Sequence, residues 1–252
     1  DWSKNESVAI TGSVTDNLKN GSIDNTNPSS GLSRIVWSKG SEMATADVLT
    51  EATNKANIGA DGTYSFNSVI GEQDAKYYIY AVDLAGNVSL AKTTQVRIDL
   101  KKPTITDFTF SKKTSTAAEK VINFLTFGTI FSETIDVTVT GSDETITSGL
   151  KNITLYYGGE VLETKAVSGN TATFELTETK FKAGKEISAT VTDIAGNNSD
   201  ITKPMDVGAI SNIVKIDSAK PTAVITPATA TYTSSNGQLW YNGNTDINVV
   251  AT

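Results

Sequence analysis

The 252 residues include no cysteine and no histidine. Without cysteine there is no disulfide, no thiolate nucleophile and no cysteine-held zinc. Without histidine the commonest general base and the commonest transition-metal ligand are missing, and a Ser/His/Asp triad is excluded. No apolar run approaches the roughly 20 residues that a membrane-spanning helix requires. Basic clusters are scarce as well: Lys101-Lys102 and Lys112-Lys113 are isolated doublets, and the formal net charge is −7. Nucleic-acid binding, which needs grouped Lys and Arg against phosphates, is therefore not expected. An acidic balance instead favours mutually repelling chains and hard cations as partners. No secretory signal stands at Asp1, where the sequence opens in the middle of a recurring motif.

What the chain does contain is repetition. Asp83-Leu84-Ala85-Gly86-Asn87-Val88-Ser89 recurs 110 residues later as Asp193-Ile194-Ala195-Gly196-Asn197-Asn198-Ser199. Ile98-Asp99-Leu100-Lys101-Lys102-Pro103-Thr104 recurs as Ile216-Asp217-Ser218-Ala219-Lys220-Pro221-Thr222, and Ser30-Gly31-Leu32 as Ser148-Gly149-Leu150. A third copy begins at Ala223-Val224-Ile225, and its Trp240-Tyr241-Asn242 resembles Trp2-Ser3-Lys4-Asn5. A repeat of this length matches one two-sheet sandwich.

The segments between the motifs have the two-residue period of half-buried strands. Ile135, Val137 and Val139 alternate with Asp136 and Thr138; Ile187, Ala189 and Val191 form a second such series, and Tyr64 and Phe66 a third. The denser run from Tyr77 to Val82 predicts a central strand. Asp61-Gly62, Gly158-Gly159 and Gly169-Asn170 predict hairpin turns. Thr116-Ala117-Ala118-Glu119 reads as a capping box that Lys120 to Leu125 continue as a short helix. The expected fold is all-β: tandem immunoglobulin-like β-sandwich modules in an elongated arrangement. Residues 1–99 form a module lacking its first strand, 100–217 a module with a short helical insert, and 218–252 the opening strands of a third. An unpaired strand edge at 222–252, with a module that lacks that strand, predicts strand exchange between molecules.

In immunoglobulin topology the Asp-x-Ala-Gly-Asn and Ser-Gly-Leu loops share the end at which the preceding chain arrives. Asp99, on the connection, should therefore approach Asp143, Glu144 and Asp193. Carboxylates about 4 Å apart repel by about 4 kcal/mol per pair at an effective dielectric of roughly 20. A Ca2+ ion, which takes six to eight oxygens, would relieve that repulsion. A plainer reading stands beside it: the aspartates accept hydrogen bonds from turn amides while Gly86 and Gly196 supply positive φ, and Asp99 and Asp217 cap the linkers. No catalytic residue is expected. Paired glycosidase carboxylates need a cleft that a two-layer sandwich does not offer. Trp2, Trp37 and Trp240 are read as core residues rather than a sugar-stacking platform.

Together, Asp-x-Ala-Gly-Asn-x-Ser and the following Ile-Asp-x-x-x-Pro-Thr resemble the bacterial immunoglobulin-like repeats of large surface adhesins. The resemblance implies an extracellular, cell-surface location and a non-enzymatic stalk whose partners are neighbouring modules. It implies calcium at module junctions, as in several such repeats, and in some sandwiches a Lys–Asn isopeptide link. Alternatives of the same architecture are a module that binds a host glycan or matrix protein through the Asn-rich residues 17–30, and a spacer in a surface carbohydrate-active enzyme.

Overall fold

Alternation places the strands. The computed structural model describes residues 1–16, 18–19, 22–23, 29–112, 130–209, 211–220, 222–227, 230, 232–240, 242 and 247–251. The elements in chain order are β1 (Trp2–Ser3), β2 (Ala9–Ser13), β3 (Leu18–Lys19), β4 (Ser22–Ile23), β5 (Leu32–Lys39), α1 (Thr45–Thr50), β6 (Lys55–Ala56), β7 (Thr63–Asn67), β8 (Gln73–Asp83) and β9 (Lys92–Ile98). There follow β10 (Thr104–Lys112), β11 (Ile130–Phe131), β12 (Ile135–Ser142), β13 (Leu150–Tyr157), β14 (Glu160–Ala166), β15 (Thr171–Leu176), α2 (Glu178–Phe181), β16 (Lys185–Asp193), a 3-10 turn (Pro204–Val207) and β17 (Ile213–Ile216). The last elements are β18 (Ala223–Pro227), β19 (Tyr232–Thr233), β20 (Leu239–Trp240) and β21 (Ile247–Ala251). The fold is all-β, as the alternation predicts.

A first sandwich sets the sheet β1-β9-β8-β5-β6 against the pair β2-β7, and a second sets β11-β17-β16-β13-β14 against β10-β12-β15. β18 pairs with β21 and β19 with β20. In the second sandwich Ile135, Val137 and Val139 of β12 are fully buried, and across the gap they meet Ile153 and Leu155 of β13 and Ile187, Ala189 and Val191 of β16. Each such aliphatic side chain contributes about 1.5–3 kcal/mol on leaving water. Phe181 of α2 closes one end of this core, its ring 4.3 Å from that of Tyr157.

The dense run in β8 has a specific cause. Tyr77 and Ile79 face the inter-sheet core with Ile10, Ile35, Val96 and Ile98. Tyr80 and Val82 face the other way, packing with Val36 and with Val48 of α1. The short helix therefore covers the outer face of the sheet, and β8 is apolar on both sides. Trp37 is a packing residue, stacked on Phe66 at 5.1 Å.

Of the three turn dipeptides, Gly158-Gly159 closes a hairpin within one sheet, between β13 and β14. Gly169-Asn170 forms a two-residue turn whose flanking Ser168 and Thr171 bond each other at 2.8 and 3.3 Å, and Asp61-Gly62 lies within a turn flanked by the antiparallel bridge of Ile58 with Tyr64; both turns also lead the chain from one sheet to the other. The capping box at 116–119 and the helix expected after it lie outside the described residues, as does most of 17–30.

Candidate metal site at the seam between the sandwiches

The repeated motifs occupy matching positions. Leu84 N donates to Gly31 O at 2.9 Å in the first sandwich, and Ile194 N donates to Gly149 O at 2.8 Å in the second. This clasp brings the loop after β16 onto the loop before β13. Gly31 and Gly149 stand at φ +89 and +85, a backbone that side-chain-bearing residues rarely adopt, so glycine belongs there. Within the second loop Asp193 Oδ1 accepts from Gly196 N at 2.6 Å and Asn197 N at 2.8 Å, while Asn197 Nδ2 donates to Asp193 Oδ2 at 2.8 Å. Asp143 Oδ2 accepts from the Thr147 hydroxyl at 2.5 Å and from Gly149 N at 2.9 Å.

Asp99 comes to this corner from the first sandwich. Its backbone N donates to Ser3 O at 2.9 Å, which holds it at the end of β9. Its Oδ1 accepts from Lys101 N at 3.1 Å and its Oδ2 from Ser148 N at 2.7 Å. Asn197 Nδ2 also donates to Asp99 O at 2.9 Å, so one side-chain amide ties the linker backbone to the Asp193 turn. Asp99 and Asp193 are fully buried. Asp99, Asp143 and Asp193 each present a carboxylate oxygen within 4.8 Å of the others.

Glu144, the fourth expected ligand, is not in this group. Its side chain is 69% exposed and its carboxylate lies 3.4 Å from Lys101 Nζ. The Lys101 ammonium is engaged outside the aspartate cluster: it donates to Thr145 O at 2.8 Å and lies 3.8 Å from Glu72 of the first sandwich. A further contact across the seam is Lys4 Nζ to Gly196 O at 3.4 Å, and on the connection itself Lys102 pairs with Asp200 at 2.8 Å. Asn197 and Ser148 are site residues that reasoning from carboxylates missed, although each is a constant of its motif in both copies.

Both readings of the aspartates have a structural basis here. Turn amides occupy most of the carboxylate oxygens, as the turn reading requires. They leave a remainder: Asp143 Oδ1 is buried and has no hydrogen-bond partner among the described residues. A buried oxygen without a partner costs about 1–3 kcal/mol, and more when it carries charge. Two carboxylates 4.8 Å apart repel by about 3.5 kcal/mol at an effective dielectric near 20. An oxygen-only donor set of this kind suits a hard divalent cation such as Ca2+ and is a poor site for softer metals.

No protein-family model matches the sequence, and no curated protein matches it. Among solved structures the chain is similar to the fibronectin(III)-like modules of Clostridium thermocellum CbhA, with a TM-score of 0.36 and 17% identity over 86% of each chain. It is similar to a Ca2+-stabilized adhesin with which an Antarctic bacterium reaches out and binds ice, with a TM-score of 0.36 and 16% identity over 90% of this chain and 48% of that one. SGBP-B of the Bacteroides ovatus mixed-linkage glucan utilization locus, solved with a mixed-linkage heptasaccharide, gives a TM-score of 0.21 and 14% identity over 82% of this chain and 43% of that one. The chain thus spans less than half of the second and third structures.

Proposed function

We propose that this chain is a non-catalytic stalk segment of a bacterial cell-surface protein. It is built of immunoglobulin-like modules at 1–99, 100–217 and 218–252, and Ca2+ held by Asp99, Asp143 and Asp193 stiffens the seam. The observation that carries the reading is the buried Oδ1 of Asp143, unpartnered among the described residues, beside two fully buried carboxylates. Asp99 belongs to the exit of one sandwich and the other two to loops of the next, so a shared ion would hold the sandwiches to each other rather than brace either one alone. Backbone carbonyls and water would complete the shell of six to eight oxygens. The ion supplies positive charge and no reaction. Asp193 serves both as turn former and as ligand, since each carboxylate oxygen has two lone pairs.

Thermal melting in calcium against chelator tests it. With a dissociation constant of about 0.1 mM, in the range of extracellular modules, 1 mM calcium stabilises by about 1.4 kcal/mol. For a domain of roughly 100 residues that is a rise of about 5–10 °C. Asp143→Asn should abolish the calcium gain and raise the melting temperature in chelator, because it relieves like-charge repulsion. No calcium shift, together with an Asp143→Asn variant that melts lower in both buffers, would leave the aspartates as turn formers alone.

A further inference from the structure

Two kinds of contact cross the seam, and one of them needs no metal. The Lys101 ammonium lies 3.8 Å from the Glu72 carboxylate of the first sandwich and 3.4 Å from Glu144 of the second. It also donates to Thr145 O at 2.8 Å. The backbone N–H of Lys101 is occupied by Asp99 Oδ1 at 3.1 Å, so the residue is fixed on the connection while its side chain spans the joint. That side chain is 40% exposed and Glu72 only 23%, so the bridge is partly shielded from water.

Both anchors are held by their own sandwich. Glu72 ends a loop that hydrogen bonds lock in place: Gly71 N donates to Glu6 O at 2.9 Å, and the buried Gln73 donates from Nε2 to Val69 O at 2.5 Å and Gly71 O at 3.2 Å. The Tyr77 hydroxyl donates to Gln73 Oε1 and accepts from Val69 N, both at 2.9 Å. On the other side Glu144 and Thr145 sit in the loop that Asp143 closes by accepting from Gly149 N. Without a positive charge between them, Glu72 and Glu144 would meet across the joint as like charges. The lysine turns that repulsion into attraction. An ammonium is a compact charge with three donors, which suits two carboxylates and a carbonyl around one nitrogen.

We propose that Lys101 is a metal-independent clamp that sets the angle between the two sandwiches, tying Glu72 on one side to Glu144 and Thr145 O on the other. Exposed ion pairs contribute little to folding, but a joint needs only a bias among orientations that are all folded. The clamp acts beside the aspartate cluster and not through it, so it and the calcium reading fail separately. It is also particular to this joint. Aligning the linkers on Ile98-Asp99 and Ile216-Asp217 puts Ala219 where Lys101 stands, while the aspartate and the proline recur. The carboxylate therefore belongs to the repeat and the clamp to one linker.

The absence of cysteine makes site-specific labelling clean. Spin labels at Leu90→Cys and Val161→Cys, 89% and 63% exposed, report the distance between the sandwiches. Lys101→Ala keeps the backbone N–H that Asp99 uses. In chelator it should raise the population outside the main distance peak by roughly two- to fivefold, the size expected for an exposed ion pair. Lys101→Arg should keep the peak, and so should Lys102→Ala, whose ion pair with Asp200 does not involve the first sandwich. Glu72→Gln alone should widen the distribution, yet added to Lys101→Ala it should narrow it, because the stranded like charge is gone. Calcium, added as a separate arm, reads the aspartates alone. A Lys101→Ala distribution equal to that of the unmodified chain in chelator, or equal widening by Lys102→Ala, would overturn the proposal.

Discussion

The receiving ends of the two sandwiches use the same turn and differ in what reaches it. In the first, Asp16 Oδ2 accepts from Gly31 N at 2.7 Å, and Asp83 accepts from Asn87 N and Nδ2, both at 2.7 Å. In the second, Asp143, Gly149, Asp193 and Asn197 repeat those contacts, and Asp99 joins them. Asp83 is only partly buried whereas Asp193 is fully so. Local turn chemistry is thus complete in either copy. The cradle of carboxylates arises only where the linker brings a third one and the neighbouring sandwich shuts out water. Among the described residues no third carboxylate joins Asp16 and Asp83.

The largest effect expected from this contrast is at Asp193. Asp193→Ala strips the acceptor from three N–H groups in a buried corner and should cost about 2–4 kcal/mol, read as a lower urea midpoint. Asp83→Ala, in its more open turn, should cost clearly less. Equal losses would show that burial adds nothing and would end the comparison. Next comes Asn197→Ala, which frees the Asp99 carbonyl as well as the turn and should cost about 1–2 kcal/mol. Spin labels on the two sandwiches should then report a broader distance distribution, and Asn87→Ala should leave it unchanged. The smallest effect is on pH dependence. The Asn87 side chain holds the Asp83 carboxyl below the usual aspartate range, and the Ala219 amide, then Lys215, does the same for Asp217. Near pH 4 the unfolded chain therefore binds more protons, so this stability is present above the ordinary aspartate pKa of about 3.9 and is lost as pH falls through the lower folded values. Asp83→Asn should flatten the acid limb of urea midpoints measured from pH 5 to 3; an unchanged limb would count against that hydrogen bond.

Much of this was legible in the sequence. Ile135, Val137 and Val139 announce one face of a strand, the matched motifs carry Asp99 and Asp193 to one corner, and Asp143 was read with Glu144 from the loop beside it. Glu144 was misplaced because neighbours in a loop point apart, and Lys101 draws its carboxylate outward. α1 was missed because residues 45–50 have no helical stripe; Val48 is held by the face of β8 beneath it rather than by propensity. Asp61-Gly62 and Gly169-Asn170 signal tight turns correctly, but turn residues do not say whether the next strand stays in the same sheet. Asn197 reads as a turn former, and its second bond to the linker depends on a tertiary approach no local pattern encodes.

The bond from Asn197 to the Asp99 carbonyl has a consequence for length. A freely swivelling string of units spans a distance that grows with the square root of their number. In the array proposed above, joints clamped in this way would make directions add instead of averaging out, so that extension would grow in proportion to the number of units.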